Sequence, residues 1–521
     1  MIYPCDRGHP IYLLILTFSI ICYHGTALSI PLTATPIFKD TPFAVIWNAP
    51  THVCQNLKIP LALSVFQAVT TPASEPNQFL FLFYSNRLGL YPYTDPSTGK
   101  QVNGGIPQKG NLTASLVKAH KDIIEYVLEF TPGLAVIDWE EWRPIWARNW
   151  NSKDIYRKLS IQYAKEKNPL LSPSEVDAVA KQQFENAARA YMEKTMQLGI
   201  NLRSNYLWGF YLFPDCYNYD WSTSGYTGDC PAIEKTRNNE LLWLWASSTA
   251  LFPSAYLPVS LREQPKAALF VRGRVKEAMR VSALPNPLYS KPIYVYLRPV
   301  FTNQNNVFLS EEDLIHTVGE SAALGASGVV LWGASADYNS KSSCEALAAY
   351  LPSTLNPYVV NVTAAAKLCS QMLCQGNGRC VRQNPDSAAY LHLNPNNFSI
   401  QQHVGKYVAV GVPSQSDLND FVNRKCPFIL LFECLYNSKS PVLIGGINCD
   451  LSPRTGAGCR PSGSCLISFS VCLLKRNNLQ KIRALLTKKK KHAASTVLRL
   501  FEPGRIVFFS SSSANISPNF L

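Results

Sequence analysis

A chain of 521 residues, 47% hydrophobic and 16% charged, has the make-up of a globular protein and excludes a wholly disordered one. Its length exceeds what one small core supports, so one large domain with smaller appendages is expected. The net charge of +14 invites a nucleic-acid or polyanion reading, yet residues 427–521 hold 13 Lys and Arg against 3 Asp and Glu, which leaves the rest near balance; charge names no partner, and no nucleic acid is called for.

The N-terminus carries Arg7, an apolar run from Ile11 to Cys22 and the small residues Gly25-Thr26-Ala27, the pattern of an export signal over residues 1–27. The run is about twelve residues, too short to span a bilayer, so no stable membrane span is expected. Export suits the cysteine count: fifteen cysteines in a secreted chain are read as disulfides rather than as catalytic thiols or zinc ligands, and no metal or cofactor is called for. Losing Cys5 and Cys22 with the signal leaves thirteen, an odd number, so one thiol stays unpaired or pairs outside the chain. Sequons at Asn111, Asn361, Asn397 and Asn515 agree with export, and glycosylation is expected at Asn111 and Asn361.

From position 42 short apolar runs recur, each ending in polar or aromatic residues and followed by a stretch that can hold a helix. The clearest are Phe43–Trp47, Phe79–Tyr84, Leu134–Ile137, Leu207–Tyr211, Ile293–Tyr296 and Val329–Trp332. Runs apolar on both faces, alternating with helices, imply a parallel sheet. Pro173 to Leu198 has helical spacing with Gly199 as its stop, and Ser310-Glu-Glu-Asp-Leu reads as a helix start with acids in the first turn. Seven or eight such units predict an α/β fold: a closed or nearly closed (β/α) barrel of the TIM type over residues 28–360. An open doubly wound sheet is the alternative, but no glycine-rich dinucleotide loop follows the first strand. In such a barrel chemistry sits at the carboxyl ends of the strands, where this chain concentrates Asn48, Tyr84, Asp138, Glu140, Tyr211, Tyr296 and Trp332.

The pattern changes after Asn361. Cys369, Cys374 and Cys380 crowd together as in the opening of an EGF-like module, but the closing CxC is missing after Cys426, so residues 361–426 read as an incomplete module. Residues 427–521 form a divergent basic tail, with Lys488–Lys491 and a serine run at 510–513, expected to be poorly ordered and dispensable for catalysis.

Asp138 and Glu140 stand two apart at the end of an apolar strand, so their side chains share a face with Cα atoms about 6.5 to 7 Å apart. Two such carboxyls can share a proton, and burial beside Trp139, Trp142 and Trp146 would raise Glu140 into the range of a general acid near neutral pH. The aromatic company also suits a sugar, whose flat C–H faces bind Trp and Tyr platforms.

The segment Gly133-Leu-Ala-Val-Ile-Asp-Trp-Glu-Glu-Trp-Arg-Pro-Ile-Trp-Ala-Arg-Asn-Trp150 closely resembles the active-site strand of animal hyaluronidases, glycoside hydrolase family 56. Trp47-Asn-Ala-Pro-Thr51, Asn86-Arg-Leu-Gly89, Val102–Gln108, Phe213–Asn218, Gly319–Ala326 and Tyr390–Pro395 extend the resemblance over about residues 40 to 426, nearest to the sperm-surface type. It implies a distorted barrel and an endo-β-N-acetylhexosaminidase that cleaves hyaluronan, and chondroitin more weakly, at β-1,4 bonds. The implied mechanism is retaining, with the substrate's own acetamido group as nucleophile, an exception to the paired flanking carboxylates of most retaining enzymes.

The resemblance assigns Glu140 as acid/base, Asp138 as its partner, Tyr211 as donor to the acetamido carbonyl, Tyr296 and Trp332 as walls of the reacting-sugar site, and Tyr84 and Asn48 as further contacts. It also implies that Tyr256 favours hyaluronan, since a chondroitin-preferring relative has Cys there. It pairs Cys54 with Cys344, Cys216 with Cys230, Cys369 with Cys380 and Cys374 with Cys426, and leaves Cys434, Cys449, Cys459, Cys465 and Cys472 without partners. The tail reads as a splice variant or read-through and lacks a terminal apolar segment for a lipid anchor, so a soluble, secreted monomer is expected, with cell surface, acrosome or lysosome as alternatives. A glycan-binding homologue without turnover is the competing class; release of reducing ends from hyaluronan separates the two.

Overall fold

The computed structural model describes residues 31–427, apart from 404–405 and 422–423. The expected export signal, the tail beyond residue 427 with its five cysteines, and Asn515 lie outside the described residues. The described residues belong to one compact unit.

Seven parallel strands build the body: β1 Ala44–Asn48, β2 Ala68–Thr70, β3 Leu80–Tyr84, β4 Gly133–Asp138, β5 Tyr206–Phe210, β6 Tyr294–Leu297 and β7 Gly328–Trp332. They run in the orders β6-β7-β1-β2 and β3-β4-β5. Residues 251–254 join the two sheets through parallel bridges, Tyr211 to Phe252 on one side and Leu251 to Ile293 and Ser254 to Tyr296 on the other. Contact between β2 and β3 completes the ring. Pro253 cannot donate to a ladder, which is why this eighth staff is a chain of bridges rather than a strand.

Side chains alternate across each strand, so every second residue points into the barrel. The inward set is one buried cluster of Ile46, Leu80, Leu82, Leu134, Val136, Ala250, Phe252, Tyr294, Tyr296 and Val330. The outward set, including Trp47, Phe83, Ile137, Phe210, Val295 and Leu331, packs against the helices. The apolar runs are continuous because both faces are covered.

Among the outer helices are α1 Leu112–Tyr126, α2 Pro173–Leu202, α3 Pro265–Ser282 and α4 Asn356–Cys374. Helix α2 starts as expected, with Ser172 and Glu175 forming a capping box ahead of Pro173. It does not stop at Gly199. That glycine lies inside the helix against Trp208, whose ring would come within 2.6 Å of a Cβ there, so its role is close approach to β5. Ser310 caps Glu311–Leu314 and receives the Asp313 amide as expected. No described helix is long and apolar enough to cross a membrane.

The boundary expected at residue 361 falls inside α4, which runs unbroken into the cysteine-rich segment. That segment is fastened to the barrel by the fully buried Glu320, whose carboxylate takes Arg382 through two bonds of 2.6 and 2.8 Å and Arg272 through two of 2.7 and 3.5 Å. A hairpin, Phe398–His403 with Lys406–Gly411, follows.

Three expected disulfides are formed, Cys54–Cys344, Cys369–Cys380 and Cys374–Cys426. The fourth needs correction: Cys216 and Cys230 are buried thiols. The Cys230 thiol donates to the Cys216 carbonyl at 3.4 Å instead of closing a bond. Burial and the adjacent thiol push Cys216 up. The sulfurs of Cys374, Cys380 and Cys426 lie within 4.8 Å of one another, yet each is already in a disulfide and offers no thiolate.

Asn111 is exposed and caps α1, accepting from the Ala114 amide at 3.0 Å. Asn361 accepts from the Leu393 amide at 2.8 Å. Both bonds use the side-chain oxygen. Asn397 instead spends its amide nitrogen on Ser414 and Asp417, at 2.9 and 2.8 Å.

Candidate active site

The period-two alternation that fills the barrel also places the last inward residue of each strand at its mouth. Asn48, Tyr84, Asp138 and Trp332 end β1, β3, β4 and β7, with Asn48 opposite Trp332 and Tyr84 opposite Asp138. Tyr211 follows β5, its amide bonded to the Ile137 carbonyl at 2.9 Å. Tyr296 is on β6, beside Ser254. The structure thus brings six of the predicted residues to one end of the barrel, and Glu140 and Tyr256 reach the same mouth from the loops that follow.

Asp138 and Glu140 form an interacting carboxyl pair. Burial, then the charge of Glu140, pushes Asp138 up to about 8. The effect of burial expected at Glu140 therefore appears on Asp138, the member of the pair inside the barrel; the Glu140 side chain is 46% exposed. Arg143 steadies Glu140 by donating to its carbonyl at 2.7 Å and standing 3.4 Å from its carboxylate. Lys153 donates to the carbonyls of Glu140 and Glu141, and burial followed by the Arg143 charge lowers it to about 8. A cavity of about 220 Å³ opens beside Glu140, bounded by Thr94, Glu141, Lys153 and Tyr156.

Opposite the acids stands an aromatic wall. Tyr211 and Tyr256 stack with centroids 6.3 Å apart, Tyr256 and Trp332 at 5.9 Å and 15°, and Tyr211 meets Tyr296 edge-on at 5.0 Å. Burial and the nearby Glu140 charge push the Tyr211 phenol up, so it keeps its proton and remains a donor. The Trp332 indole donates to the Tyr84 hydroxyl at 3.2 Å.

Two expected contacts are deeper than a substrate surface. Asn48 has no exposed area and donates to Thr70 at 2.8 Å. Tyr296 is almost fully buried. Each still carries a buried oxygen without a hydrogen-bond partner among the described residues, Asn48 Oδ1 and the Tyr296 hydroxyl.

The tryptophans after Asp138 are core rather than platform. Trp139 and Trp142 stack on Tyr91 at 4.6 and 5.0 Å, and Trp146 meets Phe184 edge-on. Sequence reasoning missed Arg143, Lys153 and Ser254, whose hydroxyl lies near the Tyr211 phenol and opposes its upward shift. Only Arg143 had a signal, its place three residues after Glu140.

A family model described as hyaluronidase, Glyco_hydro_56, matches residues 32–435, somewhat beyond both ends of the resemblance read from motifs. Hyaluronidase-5 of Mus musculus is 48% identical over 426 residues, 81% of this chain and 80% of that protein. Hyaluronidase PH-20 of Homo sapiens is 47% identical over 401 residues, 76% of this chain and 78% of its own length. A crystal structure of bee venom hyaluronidase in complex with a hyaluronic acid tetramer is similar at a TM-score of 0.54 and 31% identity, covering 61% of this chain and 98% of that one. With the family model matched over most of its length and its carboxyl pair at the barrel mouth, the chain belongs to the hyaluronidase family of glycoside hydrolases.

Proposed function

We propose that this enzyme cleaves hyaluronan internally at β-1,4 N-acetylhexosaminyl bonds, with chondroitin as a poorer substrate, by a retaining, substrate-assisted mechanism. The observation that carries the mechanism is the pairing of the Asp138 and Glu140 carboxyls at the barrel mouth, close enough for the charge of one to raise the other. Carboxyls paired in this way stand on one side of the scissile bond, so they cannot flank it about 5 to 5.5 Å apart as an acid and a nucleophile must. The nucleophile then comes from the substrate, and the acetamido oxygen is the group in reach.

Glu140 gives its proton to the leaving oxygen and later takes one from water. Asp138, protonated through its burial, holds Glu140 and orients the acetamido nitrogen. Tyr211 donates to the acetamido carbonyl as it closes on the anomeric carbon, which needs a phenol that keeps its proton. The aromatic wall of Tyr211, Tyr256 and Trp332 lines the sugar site, and Tyr84 steadies Trp332. The comparison structure holding a hyaluronic acid tetramer supports the substrate class. Three disulfides support secretion into an oxidising compartment, where the protein acts as a monomer.

Glu140→Gln keeps the shape and removes the proton. It should bind polymer normally and lose turnover by about 10² to 10⁴, the usual worth of general acid–base catalysis. Reducing-end release from hyaluronan is the measurement, and activity within about tenfold of the parent would reject the acid/base assignment.

A further inference from the structure

Arg298 lies just past the end of β6, and its guanidinium carbon stands over the Trp332 ring, 5.7 Å from the centroid. The side chain is 10% exposed and is held from behind by Asp337, both of whose carboxylate oxygens accept from the same guanidinium nitrogen at 2.8 and 2.7 Å. Asp337 is itself fixed, since its carboxylate receives the Ala334 amide at 2.9 Å in the turn that follows β7. Trp332 also stacks on Tyr256, which stacks on Tyr211. Trp332 thus has three partners: a cation near its ring, a tyrosine stacked against it, and the Tyr84 hydroxyl at its indole nitrogen.

We propose that Arg298, clamped by Asp337, is a positioning residue that fixes the Trp332 ring as a wall of the sugar site and thereby sets the affinity for the polymer. This rests on Trp332 being part of the substrate site. A buried guanidinium with a bound carboxylate has little freedom, so it fixes the ring from one side where a hydrophobic residue would only fill space. The Arg298 Nε–H is buried and has no acceptor among the described residues, so Asp337 holds the guanidinium by one end only. Arg298 touches no reacting atom in this arrangement; it acts through Trp332.

The test is a double-mutant cycle on the full chain, read as steady-state kinetics on size-matched hyaluronan. Arg298→Met should raise KM by about 2- to 30-fold, the range of a cation–π contact from exposed to desolvated, with kcat changed less than KM. Arg298→Lys, which keeps the charge, should recover part of the loss. In a Trp332→Ala background Arg298→Met should have no further effect on KM, because its partner is gone. Equal effects of Arg298→Met in both backgrounds, or a loss confined to kcat, would overturn the proposal. Should Arg298→Met leave Asp337 unpaired and fail to fold, Arg298→Met with Asp337→Asn removes both charges, and the same comparison applies. Hyaluronan release by the parent chain is measured alongside; its absence would reject the substrate reading, whereas additive effects in an active parent reject only the role of Arg298.

Discussion

Asp138 binds its proton more tightly in the folded chain than in the unfolded one, where it titrates near 3.8, because burial and Glu140 oppose its charge. Between those limits the native state holds an extra proton. Its contribution to stability is complete below roughly pH 4 and is lost as pH rises through about 8. Asp138→Asn, neutral at every pH, should flatten this decline while impairing turnover. Urea unfolding at pH 5 and pH 8 measures it, and an equal pH slope in parent and variant would show that Asp138 is not the titrating group. Tyr256 lies between Tyr211 and Trp332 in the aromatic stack, so Tyr256→Cys removes one ring and opens the wall. The parent should favour hyaluronan over desulfated chondroitin by about 5- to 150-fold, the worth of one matched buried hydrogen bond. The variant should narrow or reverse that ratio of initial rates; an unchanged ratio would mean Tyr256 only fills space. The mouth residues were legible because each ends an apolar run with a polar or aromatic side chain of the inward parity. Lys153 and Arg298 were not, since a basic residue in a loop looks the same in sequence whether it faces water or clamps a neighbour.

At the level of elements, the strands could be read wherever both faces are apolar over four or more residues. The short β2 and the bridging residues 251–254 could not, because three residues carry no period and Pro253 argues against a strand. Gly199 shows how a stop signal misleads: helix propensity marks glycine as an end, but the nearness of the Trp208 ring requires it in mid-helix. Gly199→Ala should therefore cost about 1 to 3 kcal/mol through overpacking, although alanine is the better helix former. Denaturant titration gives the sign; a stabilised variant would show that the ring yields freely. Glu320 was quoted in a motif without a role, because its two arginine partners lie 48 and 62 residues away. Glu320→Gln strands two buried guanidinium groups and should destabilise the fold by about 3 to 5 kcal/mol, measured the same way.

For the molecule as a whole, the barrel and its family were legible because one eighteen-residue segment carries both the acid pair and its strand. The attachment of the cysteine-rich segment was not, since it depends on α4 continuing past 361 and on a buried ion pair rather than on composition. The Cys54–Cys344 bond joins the short helix after the first strand to the helix after the last across 290 residues of sequence. Everything between those two cysteines is consequently a covalent ring. A protease that cuts once in any exposed loop of that ring linearises it without dividing the protein. The nicked enzyme should run as one band on a denaturing gel without reductant and as two with it, and it should keep both halves of the barrel mouth tethered in the same molecule.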